Sequence, residues 1–335
     1  MKSTSELLTN TGWSIELRPR FEGCNVGTWI GFKHVMYLVE EAVLQFLRDQ
    51  GLPPGNTLDL HGLGTEIVDS RLRLTSAIRV DDVVRIGIRP ATKEGDPELG
   101  LAVTITRRDA EREVKLASGR VHVSFRDTGD DLGGRQPAPP AIARFVVPEI
   151  RRQGPAEGAG APAGALGPIG GDGGDEERAV RERLCPEGSN TFLWTWRIPY
   201  FYCHYTERLQ HSGYVRIMEE AVDRFLADRG ISIGTFLRER RWIPVVTMAH
   251  VELLAEARIE DTLYTVYTVE EITKDVTYTA RMDCYVVRGG ALVQTATGRI
   301  THAYIQFDDR TVGTTIAPFD ARVIEALSGP RRRSS

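Results

Sequence analysis

The sequence predicts an α+β protein of two tandem units, each with a long helix wrapped by a five-stranded antiparallel sheet. The stretch EEAVLQFLRDQG at Glu40 returns as EEAVDRFLADRG at Glu219, 179 residues later. The same shift aligns segments far from this helix without any gap. A stretch rich in Gly, Ala and Pro, from Gly158, separates the two copies.

The repeat extends through segments with different periodicities. Four further matches keep the register: Arg18 with Arg197, Cys24 with Cys203, RVDD at Arg79 with RIED at Arg258, and ASGRV at Ala117 with ATGRI at Ala296. A chance similarity between two helices would not hold one register across such different segments. We therefore interpret the repeat as the duplication of a unit of about 115 residues.

Composition sets the domain boundaries. We expect a first unit at 1–127, a linker at 128–190, a second unit at 191–310 and a C-terminal tail at 311–335. The sequence GAGAPAGALGPIGGDGGDEE has almost no large apolar residue to bury. It is typical of a flexible tether, so we expect no secondary structure over 155–177.

Each unit is predicted to open with a strand. WSIELRPRF from Trp13 and FLWTWRIPYF from Phe192 are rich in aromatic and β-branched residues, which favour strands. A loop follows in both units before the repeated helix. This loop is glycine-rich in the first unit and histidine-rich in the second.

The repeated helix is predicted at 34–50 and again at 212–229. In the first copy, apolar residues recur at helical spacing: Val39, Ala42, Val43, Phe46 and Leu47. Gly51 and Gly230 stand where a helix C-cap requires a left-handed residue. Four strand-like segments follow the second helix: VTMAHVELLAEA, DTLYTVYTVEEIT, VTYTARMDCYVV and ALVQTATGRITHAYIQF. The sheet they form must cover the apolar face of the helix.

Composition excludes several classes of protein. Hydrophobic residues make up 41% of the 335 residues, charged residues make up 26%, and the net charge is −4, which is typical of a soluble globular protein. The basic run at the end of the chain is short, so we expect no nucleic-acid partner. No apolar run reaches the ~20 residues of a membrane helix, and no signal peptide is visible. The cysteines form no CxxC pair, which favours a reducing cytoplasm, and the excess of Arg over Lys suggests a bacterial source.

The segment HSGYVRIMEEAVDRFL from His211 resembles the signature of the 4-hydroxybenzoyl-CoA thioesterase superfamily, especially the Tol–Pal-associated acyl-CoA thioesterases. His211, Ser212, Tyr214 and Glu219 match the family pattern of His-Ser-Asn-Tyr followed by a helix carrying Glu. The resemblance implies a hotdog fold in each unit and a double hotdog in the chain, as in plant acyl-ACP thioesterases. It also implies a monomeric pseudo-dimer or a higher homo-oligomer.

The sequence departs from this family at the expected catalytic acid. Relatives carry an Asp ten residues before the motif Tyr, whereas this chain has His204 there and Asn25 at the equivalent position of the first unit. Phe32 replaces His211 in the first unit. We therefore interpret the first unit as non-catalytic and pocket-shaping, and we place the active site in the second.

The candidate catalytic residues are His204, Glu207 and His211, which share one short loop entering a helix. Histidine transfers protons near neutral pH, and a neighbouring carboxylate orients it. The free N–H groups of the helix N-terminus would stabilise an oxyanion formed from a thioester carbonyl. The alternative is that the histidines cap the helix and Glu207 is a solvated loop charge.

The candidate substrate-binding residues flank this loop: Tyr205, Ser212, Gly213, Tyr214 and Asn25. The tyrosines have an alternative role as wall or core residues. We predict no metal and no cofactor, because the remaining histidines show no pair with metal-ligand spacing: His34, His61, His122, His250 and His302. His34 is interpreted as structural, and His250 as a weaker candidate for the second pocket.

Acyl-thioester hydrolysis is the function that these features favour, with an acyl-CoA or acyl carrier protein as the partner. His204 in place of Asp keeps open a non-hydrolytic dehydratase, isomerase or cyclase acting on a carrier-bound polyketide or fatty-acyl chain. A non-catalytic acyl-binding protein is a third possibility. No nucleotide-binding loop or GxSxG elbow is present in the sequence.

Overall fold

The computed structural model describes residues 12–110, 112–129, 135–152, 173–307 and 315–329, together with Thr9 and the pair Gly164–Ala165. Two compact units make up the chain. The first comprises Met1–Arg151 and two short segments from later in the chain, Gln210–Ser212 and His250–Glu252. The second comprises the remainder from Arg152 onwards.

The first unit is one antiparallel sheet with a long helix. Its main elements are β1 (Trp13–Leu17), α1 (Phe32–Asp49), α2 (Pro54–His61), β2 (Leu63–Leu74), β3 (Val84–Pro90), β4 (Leu99–Asp109) and β5 (Arg112–Asp127). The strand order is β1-β3-β4-β5-β2. A two-residue strand, β6 (Val146–Val147), pairs in parallel with β5.

The core of the first unit follows the predicted pattern. The apolar stripe of α1 is buried, and Ala42, Val43, Phe46 and Leu47 have no exposed surface. Buried and exposed residues alternate along β3, as expected for a sheet with one face against a core. Gly51 takes a left-handed φ of 84° just after α1, which ends the helix as predicted.

The second unit repeats this arrangement. After two-residue β7 (Gly164–Ala165) its elements are α3 (Gly173–Leu184), β8 (Phe192–Arg197), α4 (His211–Asp228), a short α5 (Ile233–Thr235) with a π-helix at Phe236–Arg240, β9 (Trp242–Leu253), β10 (Thr262–Thr273), β11 (Thr277–Arg288), β12 (Ala291–Gln306) and α6 (Ala321–Ser328). The strand order is β9-β12-β11-β10-β8, and β7 pairs with β12. Each unit therefore has the predicted long helix and five main strands.

The 179-residue shift also holds in the pairing of the strands. Leu99 pairs with Val123 between β4 and β5, and Tyr278 pairs with His302 between β11 and β12, each 179 residues later. The β-bulges between β4 and β5 and between β11 and β12 correspond in the same way. Equivalent residues of the two units can therefore be compared one by one.

The predicted linker at 128–190 contains regular structure near its end. Strand β7 and the start of helix α3 at Gly173 both lie within 155–177, so the expectation of no secondary structure there is wrong at these two places. Val180 and Leu184 lie one helical turn apart and are buried with Tyr264 and Tyr285 of the second unit. Residues 153–163 and 166–172 lie outside the described residues. Within the described part, no helix combines the length and hydropathy needed to span a membrane.

Candidate active site

His211 is the most enclosed of the three predicted catalytic residues. It is the first residue of α4, belongs by its contacts to the first unit, and is 3% exposed. Its Nδ1 lies 2.9 Å from Glu40 Oε2, and its Nε2 lies 2.6 Å from Ser70 Oγ. A carboxylate, an imidazole and a hydroxyl are thus joined in one chain of hydrogen bonds.

The elements of the first unit position both partners of His211. Glu40 lies on α1 one turn before the buried Val43, so its carboxylate leaves the helix at the edge of the apolar stripe. Ser70 lies on β2 and shares a sheet face with Leu72, two residues later; both are buried. A polar hydroxyl on this otherwise apolar face needs a partner, which the imidazole supplies.

The arrangement fixes the proton positions. A carboxylate accepts hydrogen bonds, so Glu40 assigns the proton of the neutral ring to Nδ1. Nε2 then presents its lone pair to the Ser70 hydroxyl, which donates. A hydroxyl held by an imidazole that a carboxylate orients is the geometric signature of an activated nucleophile or a general base.

A further contact anchors the start of α4. The Tyr37 hydroxyl donates a hydrogen bond to the Ser212 carbonyl at 3.1 Å, and the Tyr37 ring packs edge-on against His34 at 5.3 Å. Helix α1 therefore holds the segment Gln210–Ser212 through Glu40 and Tyr37, one turn apart.

The other two predicted catalytic residues lie elsewhere. His204 and Glu207 are exposed, and Glu207 forms an ion pair with Arg258 at 3.4 Å. The hydrogen-bond partners described for His211 are Glu40 and Ser70. Tyr205 between them takes a left-handed φ of 68°, a reversal that a tight loop requires. The catalytic roles of His204 and Glu207 stay predictions without a shared site.

The predicted substrate-binding residues divide into exposed and buried groups. Tyr205 is 38% exposed, whereas Tyr214 is fully buried and burial raises the pKa of its hydroxyl. A Cβ added to Gly213 would lie 2.6 Å from Leu209 Cδ1 and 3.0 Å from the Tyr202 carbonyl oxygen. Packing against Leu209 and the Tyr202 carbonyl therefore favours glycine at 213, independently of any ligand.

Ser212 and Asn25 take part in the backbone scaffold near the two helix starts. The Ser212 carbonyl accepts the bond from Tyr37, and the backbone N–H of Asn25 donates to the Trp29 carbonyl at 2.7 Å. Asn25 thus closes the loop that leads into α1. Substrate contact by either residue stays a prediction.

Sequence reasoning missed Glu40 and Ser70. The only hint in the sequence was the acidic pair that recurs at Glu40 and Glu219. Two adjacent charges on a helix that buries one face suggest that one of them has a specific partner. In the second unit, Glu220 of this pair accepts from the Tyr202 hydroxyl at 3.0 Å and pairs with Arg224, which is a structural role. Ser70 lies in an ordinary strand sequence, VDSRLRL, and carried no comparable signal.

A second polar cluster lies on the opposite face of β2. Asp69 accepts a hydrogen bond from His250 at 3.1 Å and lies 3.7 Å from His122. Asp69, His250 and Glu252 each offer a ligand atom within 4.8 Å of the others, so they are able to hold a divalent cation. The prediction of no metal site from sequence spacing overlooked this cluster, because strand pairing brings distant residues together.

Comparison with known proteins shows a likeness to thioesterases in part of the sequence and in the fold. Residues 200–327 match the model of the thioesterase-like superfamily, and no curated protein matches the chain. A putative oleoyl thioesterase from Lactobacillus plantarum superposes with a TM-score of 0.56 at 14% identity, covering 89% of this chain and 98% of its own. The chain has the hotdog fold of the acyl thioesterases. The predicted family resemblance is thereby confirmed.

Two further hotdog structures cover most of the chain. An acyl-ACP thioesterase from Bacteroides thetaiotaomicron gives a TM-score of 0.53 at 10% identity over 90% of this chain and all of its own. The 12:0-ACP thioesterase from Umbellularia californica gives 0.53 at 11% identity over 88% and 96%. At these identities the likeness establishes the hotdog fold and leaves the substrate of this chain open.

Proposed function

We propose that this hotdog protein hydrolyses an acyl thioester of coenzyme A or of an acyl carrier protein. The observation that carries the proposal is the buried His211 held between the Glu40 carboxylate and the Ser70 hydroxyl. The thioesterase-like match and the acyl-ACP thioesterase activity named for two structural neighbours support it. This assignment moves the catalytic set from His204, Glu207 and His211 to Glu40, Ser70 and His211.

The proposed reaction uses the hydrogen-bonded chain in two steps. Ser70 Oγ attacks the thioester carbonyl carbon while its proton passes to His211 Nε2, and Glu40 stabilises the imidazolium. The C–S bond then breaks, and the leaving thiolate takes the proton from His211. In the second step a water molecule gives a proton to His211 and attacks the acyl-serine ester, which releases the free acid and restores Ser70.

Mass spectrometry of the reaction products tests this function. The full chain is incubated with a panel of acyl-CoA and acyl-carrier-protein substrates, and we expect free acid and free thiol. Release of neither product from any member of the panel would contradict the proposal. Ser70→Ala protein serves as the matched control, because Ala249 shows that alanine fits the equivalent strand position.

The intact mass of the protein separates two versions of the mechanism. An acyl adduct on the native chain that is missing from Ser70→Ala supports the serine nucleophile. If Ser70→Ala still hydrolyses the substrate and no adduct forms, His211 acts instead as the base that activates the attacking water. Both results retain the thioesterase function.

The enclosure of His211 favours a second candidate function. A base that is 3% exposed has little access to bulk water, which suits proton transfer within a bound acyl chain. Dehydration, isomerisation or cyclisation of a carrier-bound polyketide or fatty-acyl chain would leave the thioester intact. In the same mass spectra this function gives an unchanged mass or the loss of water in place of free acid. Cytoplasmic location and oligomeric state stay predictions.

A further inference from the structure

Strand β2 carries polar side chains on both of its faces. Ser70 contacts His211 on one face, and the preceding residue, Asp69, lies on the other, because successive residues of a strand alternate. Asp69 Oδ1 lies 3.1 Å from His250 Nε2, and Asp69 Oδ2 lies 3.7 Å from His122 Nδ1. The face opposite His211 therefore has a polar cluster that the proposed hydrolysis does not use.

Strand pairing brings the members of this cluster together. Asp69 on β2 is the direct partner of His122 on β5. His250 and Glu252 are two residues apart on β9, so they share a face of that strand. All four residues belong by their contacts to the first unit.

A β-bulge lies beside Asp69. The register of β2 against β5 shifts between Ile67 and Asp69. An extra residue bends the bulged strand and changes the direction of its side chains, which is why bulges are frequent next to functional sites. The irregularity thus occurs at the residue on which the cluster is centred.

The spacing of three ligand atoms in the cluster suits a metal ion. Asp69, His250 and Glu252 each offer one ligand atom, and these atoms lie within 4.8 Å of one another. Ligand atoms around a tetrahedral Zn²⁺ are about 3.4 Å apart, since Zn–N and Zn–O bonds measure about 2.0–2.2 Å. The 3.1 Å separation of Asp69 and His250 is already close to this value. Small side-chain rotations are enough to complete the site.

Charge and partial burial also favour a cation there. The Asp69 and Glu252 carboxylates repel each other at this spacing, and a divalent cation between them removes the repulsion. The side chains of Asp69 and His250 are 18% and 22% exposed. An ion can therefore reach them from solvent, while their partial enclosure strengthens its attraction to the carboxylates.

The hotdog fold does not require these residues. The residues equivalent to Asp69, His122, His250 and Glu252, each 179 positions away, are Met248, Thr301, Arg71 and Arg73. Two guanidinium groups repel a cation, and a thioether is a poor ligand for a hard ion. In the part of the chain that the structure describes, the ligand set thus has no counterpart one repeat away.

The chemistry of the three ligands selects the class of ion. One imidazole nitrogen with two carboxylate oxygens suits Zn²⁺ and the neighbouring first-row ions, whereas Mg²⁺ and Ca²⁺ prefer sites built from oxygen atoms alone. Three protein ligands also leave one position of a tetrahedral ion for water.

We propose that Asp69, His250 and Glu252 bind a divalent transition-metal ion of the zinc class. The site goes beyond the proposed hydrolysis and does not depend on it, because it lies on the face of β2 opposite Ser70 and His211. Metal binding in the absence of substrate is therefore the quantity to measure.

Calorimetric titration of the full chain tests the proposal. The chain is first freed of metal with a chelator and is then titrated with ZnCl₂ or with MgCl₂. We expect about one Zn²⁺ per chain, bound roughly 100-fold or more tightly than Mg²⁺ because of the imidazole ligand. Absence of Zn²⁺ binding, or equal affinity for the two ions, would overturn the proposal.

Variants of the ligands localise the ion. Asp69→Asn and His250→Gln each remove one ligand while the side chain can still form a hydrogen bond. We expect each to weaken Zn²⁺ binding roughly 100-fold or more, since even an outer partner of a metal ligand contributes about 10–100-fold. His61→Gln is the control, because His61 contacts the Gln136 carbonyl at 3.3 Å, away from the cluster. Native affinity in both cluster variants would show an adventitious ion only.

The absorption spectrum of the Co²⁺ complex covers the case in which a variant does not fold, because it uses the native chain. Nitrogen and oxygen ligands give weak visible bands without the intense near-ultraviolet band of a cobalt–thiolate bond. That spectrum is expected here. A thiolate band would assign the ion to a cysteine and refute the site.

Discussion

The two hotdog units share their element order and strand register, yet they place polar residues differently. Glu40 of the first helix has its counterpart in Glu219 of the second. The other two members of the site do not recur: Phe32 stands at the position equivalent to His211, and Ala249 at the position equivalent to Ser70. The described residues therefore contain this Glu–His–Ser hydrogen-bonding array once. Apolar residues occupy two of its three equivalent positions.

The difference teaches that the fold depends on the apolar pattern and tolerates changes in the polar residues it carries. Phe32 and Ala249 are buried in their own surroundings. The sheet core shows the reverse exchange, with buried Ile88, Leu99 and Val123 in the first unit and buried Tyr267, Tyr278 and His302 at the equivalent positions of the second. Duplication has let each copy keep a different polar feature on one framework.

The largest expected effect on activity comes from giving position 211 the residue of the other repeat. His211→Phe introduces the residue of the other repeat and removes the proposed base. We expect kcat/KM for an acyl thioester to fall by roughly 10³-fold or more, as for the removal of a member of a catalytic triad. His211→Asn is the control, because it removes the imidazole without introducing a bulkier phenyl ring. Activity retained in both variants would remove His211 from the mechanism.

Glu40 and Glu219 provide a matched pair of variants. Glu40→Gln keeps the shape of the side chain but no longer fixes the His211 tautomer, so we expect roughly a 10²-fold loss of kcat or more. Glu219→Gln, one repeat later, should change kcat by less than about threefold. The ratio of the two kcat values measures the asymmetry directly. Equal losses would show that both acids serve the reaction.

A smaller effect is expected in the acid stability of the second unit. His302 has a pKa of about 3 in the folded chain and about 6.5 when unfolded. Below about pH 6.5 the unfolded state therefore binds a proton that the folded state does not bind. The free energy of unfolding falls as the pH decreases from about 6.5 towards 3. His302→Val should make the melting temperature depend less on pH over this range. An unchanged slope would show that another group controls it.

The smallest effect is expected from the exposed loop. His204→Asn and Glu207→Gln should each change kcat/KM by less than about threefold, because surface substitutions away from a site act weakly. The sequence alone predicted large losses at both residues. A loss at His204 as large as that at His211 would restore the loop cluster as the active site.

The sequence was sufficient to predict the repeated helices and strands. The expected helices at 34–50 and 212–229 are observed at Phe32–Asp49 and His211–Asp228. Their apolar residues recur at a period that a single stretch of chain reveals. Helix α3 was missed because only Val180 and Leu184 mark its buried face.

The candidate site could be predicted only in part, for a physical reason. His211 was found because it lies in a local motif, but its partners are 171 and 141 residues away in the chain. No local pattern encodes such a contact. His204 and Glu207 were chosen for their closeness in sequence, whereas the reversal at Tyr205 and the ion pair with Arg258 accompany their exposure to solvent.

The assignment of Gln210–Ser212 and His250–Glu252 to the first unit has a consequence for biosynthesis. Ser70 leaves the ribosome 141 residues before His211. At about 5–20 residues per second, the nascent first unit waits roughly 7 to 30 s for the imidazole that completes it. During that interval Glu40 and Ser70 lack their imidazole partner, so the proposed catalytic group is assembled only after the second repeat has begun to emerge.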